Sequence, residues 1–152
     1  MDLGNLLKRE GGVPLTGRKV RFHLVASDKE RTLREVQVEA VLLPVSEESR
    51  LDALQEARTY CAEQKRPDDF YVESDLRVLV RALRDPDDLR RQFCLNADLH
   101  LLRQGLVQRV MSWLVKEYDK LLREQYPETL SKEEFAALEA ESKDFSEGGQ
   151  RD

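Results

Sequence analysis

The sequence predicts an α+β domain, mostly helical, in which an N-terminal antiparallel β-hairpin packs against four to five helices. Two runs between Arg18 and Leu43 alternate apolar and polar residues, the period of a half-buried strand. After Ser46 the apolar residues recur at helical spacing instead. The chain has 152 residues, 40 % hydrophobic and 36 % charged, enough apolar material for one small core.

Asp2 to Glu10 reads as a short helix with Leu3, Leu6 and Leu7 on one face, ended by Gly11, Gly12 and Pro14. We expect this arm to dock on its own domain. In the first strand Val20, Phe22 and Leu24 share a face. In the second, Val36, Val38, Ala40 and Leu42 do, and Val41, Leu42 and Leu43 together suggest cover on both sides. Ser27 to Arg31 is the loop between them. Two strands alone are marginal in water, so helices must cover the apolar face.

Ser46 is a good N-cap, with Glu47 and Glu48 in the first turn of a helix running to about Lys65. Leu51, Leu54, Ala57 and Cys61 form its apolar stripe. A second helix spans Asp69 to Leu83 and buries Leu76, Leu79, Val80 and Leu83. Asp85 followed by Pro86 reads as the cap and first position of another short helix, through Phe93. The longest helix should run unbroken from Asn96 or Asp98 to about Gln125. Leu95, Leu99, Leu102, Leu106, Val110, Trp113, Leu114 and Leu121 make its apolar stripe. If Leu106 is buried mid-helix, Leu106→Ala should cost about 2–5 kcal/mol. Pro127 breaks this helix. Ser131 and Glu134 then match a capping box for a short terminal helix over 131–141, carrying Phe135 and Leu138. Residues 1–143 read as a single domain with an arm at 1–12, and 144–152 as a disordered acidic tail.

Charge limits the partners. The 25 basic and 30 acidic residues give a formal net charge of −5. Residues 127–152 carry all of that excess, and residues 1–126 are balanced. A neutral body with an acidic tail is a poor match for a polyanion, which argues against nucleic acid. No apolar run approaches the ~20 residues that span a bilayer, so no membrane is expected, and Met1 to Glu10 does not read as a secretory segment, so none is expected. Cys61 and Cys94 read as reduced thiols of a cytoplasmic protein.

No catalytic or metal-ligating constellation emerges, and no cofactor is expected. His23 and His100, the only histidines, have no partners at metal-ligand spacing. No glycine-rich loop joins a strand to a helix. Arg77, Arg81 and Arg84 fall on one helix face. They read as a face neutralised by Asp75, Asp85, Asp87 and Asp88, with a patch for an acidic partner as the alternative. Trp113 is expected in the core, or else as an interface anchor. Recognition of another protein therefore falls to Leu3, Leu6, Leu7, Trp113, Phe135 and Leu138, the apolar residues on segments too short to be stable alone together with the lone tryptophan. A homo-oligomer stays open.

The order of features carries more information than any one of them. A leucine-bearing arm leads into a strand pair. A helix starts after Leu42-Leu43-Pro44-Val45-Ser46-Glu47-Glu48, and the next reads Leu76-Arg77-Val78-Leu79-Val80-Arg81-Ala82-Leu83-Arg84-Asp85-Pro86. A late helix ends Leu114-Val115-Lys116-Glu117-Tyr118-Asp119-Lys120-Leu121. Over residues 1–126 this resembles the tail assembly chaperones of long-tailed bacteriophages. In that family an acid-opened helix, an "Ala-Leu-x-Asp" helix and a late tyrosine-bearing helix follow an extended segment. The resemblance implies a non-enzymatic factor in the host cytoplasm that coats the tape measure protein and recruits tail tube subunits. Gly11-Gly12 and the capping box at Ser131 have no counterpart in that pattern. The alternative is an adaptor or regulatory module for another helical partner. Both bind without turnover.

Overall fold

The computed structural model describes residues 2–9, 11–12, 14–124 and 129–148. The arm end expected at Glu10, the helix end at Gln125, the break at Pro127 and the tail from Gly149 to Asp152 lie outside them. The fold is α+β, as the sequence predicts, with one antiparallel sheet ordered β1-β2-β3-β4.

Strands β1 (Arg18–Ser27) and β2 (Leu33–Leu42) pair over their whole length, from Arg18 opposite Leu42 to Ser27 opposite Leu33. The turn between them is tightly tied. The Asp28 carboxylate accepts the N–H groups of Glu30 and Thr32, both at 2.9 Å, and Arg34 at 2.6 Å. Arg31 takes the left-handed conformation, at φ 64°. At the opposite end Val41, Leu42 and Leu43 are all buried, so cover on both sides is confirmed. Gly17 makes part of that cover. A Cβ there would lie 2.4 Å from Cγ1 of Val41 and 2.5 Å from the Leu42 carbonyl oxygen. We expect Gly17→Ala to destabilise the fold by about 1–3 kcal/mol, because the backbone oxygen cannot rotate away. Urea unfolding of the variant checks this.

Helix α2 (Glu47–Glu63) starts as expected: Ser46 Oγ accepts the Ser49 N–H at 3.2 Å. Its buried stripe is Ala53, Ala57 and Cys61, whereas Leu51 stands exposed. Three small residues at i, i+4 and i+8 let α2 lie close against α3 (Phe70–Ala82), and a leucine stripe would hold it further off. On α3, Leu76, Leu79 and Val80 are buried, as is Leu83 just beyond its end.

The segment after α3 differs from the sequence reading. Residues 85–93 form no helix. Strand β3 (Leu83–Asp85) pairs with Val41 and Leu42 of β2 and turns through Pro86 and Asp87 into β4 (Asp88–Gln92). Asp85 accepts the Asp87 N–H at 2.8 Å, the local bond of a turn. Asp-Pro opens a turn as readily as a helix. Leu83, fully buried against the sheet, decides for the turn.

The long helix is also interrupted. Helix α4 (Leu99–Gly105) ends where Leu106 becomes extended, and α5 (Gln108–Glu124) begins two residues on. Gly105 faces the Val25 carbonyl oxygen of β1, where a Cβ would come within 3.0 Å. The break gives each helix its own part of β1. In one cluster Val20 and Phe22 meet Leu79, Leu83, Leu114 and Leu121. In the other, Leu76, Val80, Cys94, Leu99 and Leu102 pack with Leu24 and Phe93. Leu106 is half-buried between the two rather than mid-helix, and Leu95 is exposed.

Neither terminal helix buries any of its described side chains in the body. In α1 (Leu3–Leu7), capped by Asp2, no residue is buried. Helix α6 (Lys132–Gly148) has the expected capping box: Ser131 Oγ accepts the Glu134 N–H at 3.1 Å and Glu134 accepts the Ser131 N–H at 3.3 Å. It runs past residue 141, through 144–148 that the sequence reads as tail. All its side chains from Lys132 to Glu141 are exposed. The expectation that the arm packs on its own domain is not met: none of the five residues of α1 is buried, and Leu3 and Leu7 are 63 % and 76 % exposed.

Candidate functional site

Strands β2 and β3 pair only at Val41 and Leu42, so the outer half of the β1–β2 hairpin extends beyond the rest of the sheet. There one face of the hairpin looks across at α4. Leu24, Leu33 and Val36 of the hairpin, Phe93 and Cys94 after β4, and Leu101 and Leu102 of α4 enclose an open groove of about 650 Å³. Its floor is firm. Phe93 meets Phe22 edge to face, with ring centroids 6.3 Å apart, and Leu102 is buried. Its rims are apolar and wet: Leu33 is 74 % exposed, Leu101 58 % and Val36 47 %. Large apolar side chains lining one open groove are what a protein-binding surface presents. The polar residues at the groove are Ser27, Asp98 and Gln104.

A network of charges holds α4 in place. Glu73, buried on α3, accepts Arg77 Nε at 2.9 Å and also Arg103 of α4. Arg77 reaches Glu56 of α2 at 3.2 Å, and Arg81 reaches the same carboxylate at 2.6 Å. The Tyr60 ring carries the guanidinium groups of Arg77 and Arg103, 5.3 and 4.5 Å from its centroid. Arg77 and Arg81 are therefore committed to internal pairing, and their partners are Glu56 and Glu73 instead of the aspartates expected from the sequence. Arg84 turns to the Arg90 carbonyl oxygen at 3.3 Å. The three do not form a free basic patch.

The cysteines are poor nucleophiles. Burial, reinforced by Asp98, pushes the Cys94 thiol above its ordinary range. Burial, and then Glu73 and Asp69, do the same to Cys61. Both stay protonated at neutral pH. His23 and His100 are exposed. Among the described residues no group of three or more histidine, cysteine or acidic side chains converges as metal ligands, and no helix is long and apolar enough to cross a membrane.

The six residues singled out from the sequence are all exposed, from 37 % for Leu6 to 76 % for Leu7. They are spread over three helices: Leu3, Leu6 and Leu7 on α1, Trp113 on the outer side of α5, and Phe135 and Leu138 on α6. Trp113 is 39 % exposed and its neighbour Leu114 takes the core position, which overturns the core expectation for the tryptophan. The groove was not read from the sequence. Val36 lies on the strand face that reads as core, and the overhang of the hairpin leaves it uncovered; Leu33 and Leu101 lie off the apolar faces read from the sequence, so no local pattern marks them. Comparison of the chain with protein-family models, with curated proteins and with solved structures finds no match.

Proposed function

We propose that this chain is a non-enzymatic assembly factor that binds a helical partner in the groove between the β1–β2 hairpin and α4. The observation that carries the reading is the groove itself, apolar, open and braced from behind by the Glu73 network. An amphipathic helix laid along it would bury Leu33, Val36 and Leu101 against its own apolar stripe. A long helical chain whose stripe is bare aggregates, and a groove that covers the stripe keeps it soluble. Together with the order of elements, this supports a tail assembly chaperone whose partners are the tape measure protein and tail tube subunits, acting in the host cytoplasm. An adaptor for another helical protein would use the same groove.

Co-expression tests the reading. The chain should keep a tape measure protein in the soluble fraction, and Leu33→Asp with Leu101→Asp should abolish this while leaving the thermal transition within about 2 °C, since both side chains are exposed. Arg66→Glu, an exposed charge away from the groove, should have no effect. A partner kept soluble equally by the double variant overturns the groove as the site. A chain that binds other helical proteins but leaves the tape measure insoluble supports the adaptor.

A further inference from the structure

The outer side of α5 is basic and carries the lone tryptophan. Arg109, Lys116 and Arg123 recur every seven residues and, with Trp113 and Lys120, fall within about 80° of arc. All five are exposed. Lys120 pairs with Glu117 at 3.3 Å, whereas Arg109, Lys116 and Arg123 make no ion pair among the described residues. The acids nearby are Asp119, at the edge of the stripe, and Glu124, which is held by Arg18 at 3.1 Å.

Helix α6 has the opposite character. Phe135 and Leu138 stand one turn apart, 53 % and 52 % exposed. Glu134 and Glu141 flank them on one side, and Glu139 with Lys132 on the other, so the acidic edge is the one bearing Glu134 and Glu141. Most helical stability in proteins comes from packing an apolar face, yet within one chain the described side chains of α6, a helix of 17 residues, touch no core, and Trp113 stays 39 % exposed.

From this complementarity of charge and shape we infer that α6 of a second copy lies on the α5 stripe, and that the two copies exchange α6 reciprocally in a two-fold dimer. The symmetry makes the same contact twice. The area is adequate. Trp113, Phe135 and Leu138 each still expose roughly 100 Å², so the six side chains of a dimer contribute roughly 600 Å² of apolar surface. That is about half of the ~1,200 Å² a stable interface needs, close to the usual apolar share. The basic stripe and the glutamates supply the rest and set the orientation. The groove at the hairpin stays open in this dimer, because neither helix contributes to it.

Because Trp113 is the single tryptophan, its emission reports on this contact alone. The full chain should show a dimer mass in sedimentation and a blue shift of emission as concentration rises, both weakened severalfold by high salt. Lys116→Glu with Arg123→Glu should leave a monomer with solvent-exposed Trp113, and so should Glu139→Lys with Glu141→Lys, which leave the capping box of Ser131 and Glu134 intact. Mixing the two variants should restore both the dimer mass and the blue shift, since each α5 then meets an α6 of opposite charge. The rescue also shows that neither variant had merely unfolded. A full chain that is monomeric at all concentrations overturns the inference. So do a blue shift independent of concentration, which means the chain's own α6 is the cover, and a dimer that survives both charge reversals.

Discussion

Leu114→Ala should cost about 2–5 kcal/mol of stability, the range for a leucine removed from a core that cannot close over the gap. Leu114 has no exposed surface and shares its cluster with Val20 and Phe22 of β1 and with Leu79 and Leu83. The gap would open where sheet and helices meet, and the sheet cannot collapse into it without losing the pairing of β2 with β3 at Val41 and Leu42. Chemical denaturation should register the loss as a midpoint lower by roughly 1–2 M urea. Leu106→Ala should cost less, because the break between α4 and α5 leaves Leu106 half-buried. A larger effect at Leu106 than at Leu114 would mean that the two helices are continuous in solution.

Glu73→Ala should cost about 3 kcal/mol, toward the lower end of the range for removing one partner of a buried ion pair. The carboxylate is shared by Arg77 and Arg103, whose side chains are 14 % and 32 % exposed. Arg77 keeps Glu56 and the Tyr60 ring. Arg103 is left with the ring and with water, and its partial exposure moderates the penalty. For a chain of this length the loss should lower the melting temperature by roughly 6–12 °C. Glu73→Gln should fall between wild type and Glu73→Ala, since it keeps an acceptor without the charge. Arg21→Ala, which removes an exposed pair with Glu39 at 2.8 Å, should change stability by less than about 1 kcal/mol. Arg103 is the tie between α3 and the helix bearing Leu101, so Glu73→Ala should also weaken partner binding more than its stability loss alone explains. Binding measured well below the melting transition separates the two effects.

The elements that could be read from the sequence are those whose signals are local. Alternation over Arg18–Leu43 specified the hairpin, Ser46 the start of α2, and Ser131 with Glu134 the cap of α6. What escaped was decided by distant contacts. Asp85-Pro86-Asp87 suits a helix start and a tight turn equally, and the choice rests on Leu83 pairing with Leu42, 41 positions earlier. Gly105 within a helical pattern is a weak signal, and the break after it follows from the approach of α4 to Val25 of β1. The groove shares this origin. An alternating strand predicts a buried face, but not how far along that face the covering helices extend. Of the charges, Arg77 and Arg81 could be read as neutralised, while their partners depended on how α2 packs.

The composition of the main core has a consequence for synthesis. Val20 and Phe22 emerge from the ribosome early, but Leu114 and Leu121, which share their cluster, emerge last among its members. At about 5–20 residues per second, the ~100 residues between Phe22 and Leu121 take roughly 5–20 s to translate. For that interval the nascent hairpin presents an uncovered apolar face inside a crowded cell. The second cluster can close sooner, since its buried members Leu76, Val80, Cys94, Leu99 and Leu102 all precede α5, which adds only the partly buried Met111 to it. Ribosome-bound chains arrested before α5 should accordingly protect amides near Leu24 while those near Val20 still exchange, which makes α5 the segment whose release completes the fold.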